Sequence, residues 1–199
     1  MPGTKGKMRV TKTFQGDNFI DSAFSNTLKS YFPKSHIISG WREGAGNDET
    51  VWESPGYEIP FVELTRCEST FKPYKEYHSS LDKPELMSVK KMNEILLLLK
   101  KIIYVIENNY VVKRKFKGLI CLSNPKYDLY FEREDPTIEK NLKKDSEIWG
   151  KFQDHLPRYL DGSFTILEIA EKFNLNFQEL FIYLSKFKKK NLISFKRKF

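Results

Sequence analysis

A chain of 199 residues with 40% hydrophobic and 15% aromatic content has the make-up of a folded protein of one or two domains, without low-complexity tracts. Its two cysteines, Cys67 and Cys121, form neither a disulfide framework nor a CxxC metal pair, which fits a reducing, cytoplasmic setting. The N-terminal MPGTKGKMRV lacks the apolar core of a signal peptide, and the most apolar run, 95–106, is broken by Lys100 and Lys101 and falls short of the roughly 20 residues of a membrane span.

Charge is unevenly placed. Residues 1–87 hold 11 Lys/Arg against 12 Asp/Glu, a balance of −1, and residues 88–199 hold 23 against 14, a balance of +9, which together give the net +8. A basic second half is compatible with an acidic partner such as nucleic acid, although most basic surfaces are simply solvated.

Residues 8–14 (MRVTKTF) alternate like a short strand, with Val10 and Phe14 on one face. Asp17 is placed to cap a helix reaching about Leu28, with Phe19, Ile20, Ala23, Phe24 and Leu28 at helical spacing. Residues 36–39 (HIIS) and 59–64 (IPFVEL) read as buried strands. This rhythm predicts an α/β sandwich. One parallel strand pair with one covering helix does not close a domain, so the sheet is expected either to pair with another chain or to continue in a protein longer at its N-terminus. Ser88 then opens a long helix to Glu107, whose predicted apolar stripe is Val89, Met92, Ile95, Leu96, Leu99, Ile102, Ile103 and Ile106. Residues 110–122 alternate across a basic face and predict a strand. Pro136 marks the expected boundary between a first domain, 1–136, and a second, 137–199.

Within 137–199 the spacing predicts a helix near 148–159, a turn at Asp161-Gly162, a second helix capped by Ser163 or Thr165, a tight turn at 174–176, a third helix over 177–188 ended by Asn191, and a strand at 192–195. That is the pattern of a winged helix-turn-helix. The outward positions of its third helix, Gln178, Glu179, Ile182 and Lys186, include an acid and no arginine, a poor surface for phosphates and base edges, so nucleic acid is not the favoured partner.

The chemistry concentrates in 44–82. His155 lies among charged residues on a helix, and His36 opens an apolar strand. His78 stands apart, in a polar loop with Asp82 four residues on, a spacing compatible with a metal ligand and a supporting acceptor. Asp48 and Glu49, in a glycine-bearing loop, form a candidate cation or amine contact or a plain turn. A single His and a few carboxylates do not make a zinc site, and no GxSxG, P-loop, HExxH or GxGxxG occurs.

The run through Asn47-Asp48-Glu49, Pro55-Gly56-Tyr57-Glu58-Ile59-Pro60, Leu64-Thr65-Arg66 and Tyr77-His78-Ser79-Ser80-Leu81-Asp82 resembles the C-terminal part of aminopeptidase-like proteins of the co-catalytic zinc exopeptidase clan. More narrowly, it is similar to a bacterial branch of domains of unknown function associated with surface-polysaccharide gene clusters, in which a winged helix follows. The resemblance implies a partial zinc-aminopeptidase-like α/β sandwich, with His78 as the clan's last zinc ligand and Asp82 and Arg66 at supporting positions. It places Asp48 and Glu49 as contacts near the ligands or the substrate amine, Glu49 standing where the clan commonly has His. The clan's other ligands and its catalytic Glu lie upstream of the matched part. The expectation is therefore a zinc hydrolase fragment, inactive alone, acting on peptide or aminoacyl substrates only if an upstream half completes the site. A non-enzymatic binding module using the basic winged helix is the alternative, and an inactive remnant a third reading.

Overall fold

Three strands built around β1 (Lys7–Thr11) open the fold in the computed structural model, which describes residues 3–44, 46–130 and 143–198. β1 runs parallel to β2 (His36–Ser39), with Met8 opposite His36, and antiparallel to β3 (Glu63–Cys67), with Lys7 opposite Cys67, so the order is β2-β1-β3. The predicted second and third strands are thus present, but β3 starts later than Ile59. Its ladder begins where Glu63 meets Thr11 at the end of β1, and Ile59 and Pro60 lie exposed before it.

Between β1 and β2 runs α1 (Phe19–Tyr31), capped by Asn18 rather than by Asp17, which is exposed. The buried Asp21 fixes that start. Its Oδ2 accepts the Asn18 N–H at 3.0 Å, and its carboxylate also takes the Thr13 backbone N–H at 2.8 Å and the Thr13 hydroxyl at 2.6 Å, so the end of β1 is tied to the first helical turn. Phe14, expected to share a face with Val10, lies beyond the strand at 69% exposure and packs edge-on to Trp41. A one-turn helix, α2 (Glu49–Trp52), interrupts the β2–β3 connection, and a 3-10 turn (Pro84–Leu86) precedes α3 (Val89–Asn108).

The core of this part joins Met8 and Val10 of β1, Leu28 of α1, and Ile95, Leu98 and Ile102 of α3. The buried face of α3 (Ile95, Leu98, Ile102, Val105) is rotated from the predicted stripe. Val89, Met92, Leu96, Leu99, Ile103 and Ile106 are exposed, at 37% or more. The apolar arc of this helix is wider than the surface the small sheet covers, so spacing alone cannot say which half is inside.

The chain divides into two compact units, Met1–Glu107 and Asn108–Phe199, upstream of the boundary read at Pro136, a residue outside those described. The reason is β4 (Tyr110–Arg114), shorter than the predicted 110–122. It is the middle strand of a second antiparallel sheet, β5-β4-β6, with β5 (Asp161–Thr165) and β6 (Ile193–Arg197), so its backbone hydrogen bonds belong to the second unit. Asp161-Gly162, expected as a turn, opens β5. The helices of this unit are α4 (Lys143–Tyr159), α5 (Ile166–Phe173) and α6 (Phe177–Lys189). Thr165 caps α5 reciprocally with Glu168, and the Asn176 side chain accepts from Gln178 and Glu179 at the start of α6. Asn191 takes a left-handed φ of 58° just past α6, as a helix end favours. Phe152, Leu156, Ile166, Ile169, Leu180 and Leu184 fill the interior. Among the described residues, no helix is long and apolar enough to cross a membrane.

The rotated face of α3 yields a paired test. Leu98→Ala, at 1% exposure, is expected to cost about 2–5 kcal/mol in urea unfolding, whereas Leu96→Ala, at 51%, changes the midpoint little.

Candidate functional site

With Met8 and Val10 in the core, strand alternation sends Arg9 to the opposite face of the sheet. There it is 1% exposed. Its Nε donates to Thr65 Oγ1 at 3.0 Å, Nη1 reaches the Thr70 carbonyl at 3.3 Å and the Glu43 carbonyl at 3.5 Å, and Nη2 lies 3.8 Å from Glu63 Oε2. The backbone passes so close at Gly44 (φ 106°) that a Cβ there would collide with the guanidinium and stand 2.7 Å from the Thr70 carbonyl oxygen, so only glycine fits. Burial pushes the Glu63 carboxyl upward, Arg9 pulls it down, and Glu49 and Asp48 repel it upward again, which places these three carboxylates in one electrostatic neighbourhood.

Asp48 is exposed at the start of α2, and its side chain makes no cap bond there. Glu49 is buried at 4% exposure in the first turn, with Oε1 3.5 Å from Arg42 Nε. Of this adjacent pair, Asp48 faces water and Glu49 is buried.

His78 and Asp82 belong to a separate turn. Tyr74 is buried, and its hydroxyl donates to Asp82 Oδ2. Burial and that hydrogen bond push the Tyr74 hydroxyl up to about 12. Asp82 Oδ1 is buried without a hydrogen-bond partner. His78 is exposed, sits at a left-handed φ of 58°, and stacks on Tyr77 with ring centroids 3.9 Å apart. A histidine at positive φ is uncommon and is held here by the turn that the Tyr74–Asp82 contact closes.

Arg66 is buried and structural in its contacts. Nη1 donates to the Gly6 carbonyl at 3.0 Å and Nη2 to Glu94 Oε2 on α3, which Lys91 also contacts at 3.0 Å. Burial raises the Glu94 carboxyl, but the hydrogen bonds from Lys91 and Arg66 outweigh it and leave the group below its ordinary value. The other two histidines are occupied by backbone: His36 Nδ1 lies 2.6 Å from the Phe32 carbonyl and His155 Nδ1 2.7 Å from that of Lys151.

Among the described residues, no three His, Cys, Asp or Glu side chains come together as a metal would require. The structure buries Glu49 and leaves Asp48 exposed, pairs Asp82 with Tyr74, and gives Arg66 to Glu94. Sequence reasoning missed Arg9 and Glu63, whose only signal is a charged residue set between inward apolar neighbours on a strand. It also missed a cavity of about 370 Å³ lined by Phe14, Asn18, Trp41, Glu53, Glu58 and Pro60, assembled from segments far apart in the chain.

The chain belongs to the family described as domain of unknown function DUF4910, whose profile matches residues 1–109. A crystal structure of a candidate peptidase from Clostridium acetobutylicum is similar to it, with a TM-score of 0.69 at 19% sequence identity, over 98% of this chain and 40% of that one. At that identity the likeness shows the α/β fold, and this chain spans 40% of that protein's length. No curated protein matches significantly.

Two outcomes test this account. Tyr74→Phe leaves Asp82 short of a donor and should lower stability by about 1–3 kcal/mol in urea unfolding, while His78→Ala, which loses only an exposed stack on Tyr77, should shift the midpoint less. Because the Glu94 carboxyl is held below the free value of 4.5, its contribution is full above that pH and is lost as pH falls through the lowered value. Thermal melts of Glu94→Gln and the parent should therefore differ at neutral pH and converge in acid.

Proposed function

We infer that this chain is part of an aminopeptidase-like hydrolase of the co-catalytic zinc exopeptidase clan, extended by a winged helix formed by β4, α4, β5, α5, α6 and β6. The observation that carries the reading is His78: an exposed imidazole held at positive φ on a turn anchored by Tyr74 and Asp82. A ring presented this way is free to meet ligands supplied by other polypeptide. Asp82, with one oxygen unpaired, has the capacity to support it, and Arg66 braces the strand and helix behind.

The residues of this chain do not fit a zinc site by themselves, because His78 is not joined by two further ligands among the described residues. The reading assigns the remaining ligands and the catalytic base to an upstream half outside this chain, and assigns to this chain the substrate side. Trp41 and Phe14 stack edge-on at 5.2 Å over the cavity that Glu53 and Glu58 line, a setting of aromatic walls and carboxylates suited to the amine end of a peptide or aminoacyl group. Asp48 and Glu49 sit on the same connection.

Purified alone, the chain is expected to bind zinc substoichiometrically and to show no turnover of aminoacyl substrates. Tight one-to-one zinc with turnover would overturn the incomplete-site reading.

A second reading, a binding module, rests on Lys186, Lys188, Lys189 and Lys190 at the end of α6 and Lys196 and Arg197 on β6, all exposed. Lys188 already lies over the Phe195 ring, 4.8 Å from its centroid, and exposed Glu179 and Ile182 interrupt the helix face, which favours a protein over nucleic acid.

A further inference from the structure

The outer row of α3 has an order of its own. Val89, Met92, Leu96, Leu99, Ile103 and Ile106, each 37–75% exposed, succeed one another at spacings of three, four, three, four and three residues. That strict alternation is the seam of a helix pair, narrower than the stripe with which a helix lies on a sheet. The inner face of α3 already meets its own core through Ile95, Leu98 and Ile102, so the outer row is a second seam. From Val89 to Ile106 it runs roughly 27 Å at the helical rise. It leaves on the order of 600 Å² of apolar surface on one copy, so two copies together would bury about 1,200 Å², the lower end of a standard interface.

The ends of the helix select the partner. Acids favour a helix start and bases a helix end, yet α3 has no acid in its first turn and no base in its last. Lys90 stands near the start and Glu107 near the end, both exposed and each next to a residue of the outer row. A second copy laid antiparallel brings Lys90 of each helix beside Glu107 of the other and opposes the two helix dipoles. Val89 then faces Ile106, Met92 faces Ile103 and Leu96 faces Leu99. A parallel pair would set lysine beside lysine and glutamate beside glutamate. Lys100, beside the middle of the seam, is exposed and carries its charge to water on a long stem, and Lys101 lies over the Tyr31 ring. We propose that α3 joins two copies of this chain, antiparallel, along the outer row. The contact uses the first unit only and is independent of the hydrolase reading.

Sedimentation equilibrium of the full chain should show a monomer–dimer equilibrium. Leu96→Glu puts a carboxylate into the seam and should weaken the dimer about tenfold or more. In dilute solution, where the pair is dissociated, its thermal melt should match the parent's, because the position is exposed in a single copy. Lys90→Glu should weaken the dimer severalfold, and Glu107→Lys in the same chain should restore it. Orientation is read by cross-linking in a Cys121→Ser background, where the remaining Cys67 is buried. Met92→Cys mixed with Ile103→Cys should join through a short bismaleimide, and Met92→Cys alone should not. A chain that is monomeric at every soluble concentration, whatever else covers the seam, overturns the proposal. So does a dimer indifferent to Leu96→Glu, a charge swap that fails to restore it, or linkage of Met92→Cys to itself.

Discussion

A guanidinium taken out of water must be met on every side, and the first unit is arranged around that requirement at Arg9. Its partners include Thr65 and Glu63 on β3, the carbonyl of Glu43 after β2, and the carbonyl of Thr70 after β3. Ordering one side chain therefore orders the strand beside it and two loops above it. Gly44 is where that geometry meets the backbone, since any side chain there would occupy the space the guanidinium needs. Burial raises the Glu63 carboxyl and the same cation lowers it, while Glu49 and Asp48 add repulsion.

The opposite face of β1 works by a different principle. Met8 and Val10 are fully buried, and they meet α1 and α3 in an apolar core without charge. A three-stranded sheet is narrow, and α3 is apolar around more of its circumference than such a sheet can cover. Ile95, Leu98, Ile102 and Val105 go inside, and a second row, Val89, Met92, Leu96, Leu99, Ile103 and Ile106, stays in water. Arg66, bonded to Glu94 beside that core, fixes how the helix is turned.

Against these two rigid faces, the 74–82 turn is built to present rather than to bury. Its base is a buried tyrosine on a carboxylate, and its tip is a histidine in a conformation that most side chains avoid. Arg66 and Asp82, which the resemblance sets beside His78, have structural partners of their own, and so His78 differs from both in facing solvent. In the second unit the division is similar in kind. A dense aromatic interior built from Phe152, Phe173 and Tyr183 joins α4, α5 and α6, while residues of α4 also line an open cavity.

The amino-acid sequence by itself determined what depends on near neighbours. β2 and the general run of helices in both units follow from periodicity, and the ends of α5 and α6 follow from Thr165, Glu168, Asn176 and Asn191, whose short side chains bond the backbone next to them. His78, Asp82, Arg66, Asp48 and Glu49 were singled out together only through resemblance. Only the tertiary structure decided that Arg66 serves Glu94, that Asp82 serves Tyr74, and that Glu49 is buried while Asp48 is not. It alone assigned β4 to the second unit, chose the inner half of α3, and brought Phe14 to Trp41. Each of these turns on a partner distant in sequence, and a pattern that repeats every two or three-and-a-half residues carries no information about which distant surface arrives to cover it.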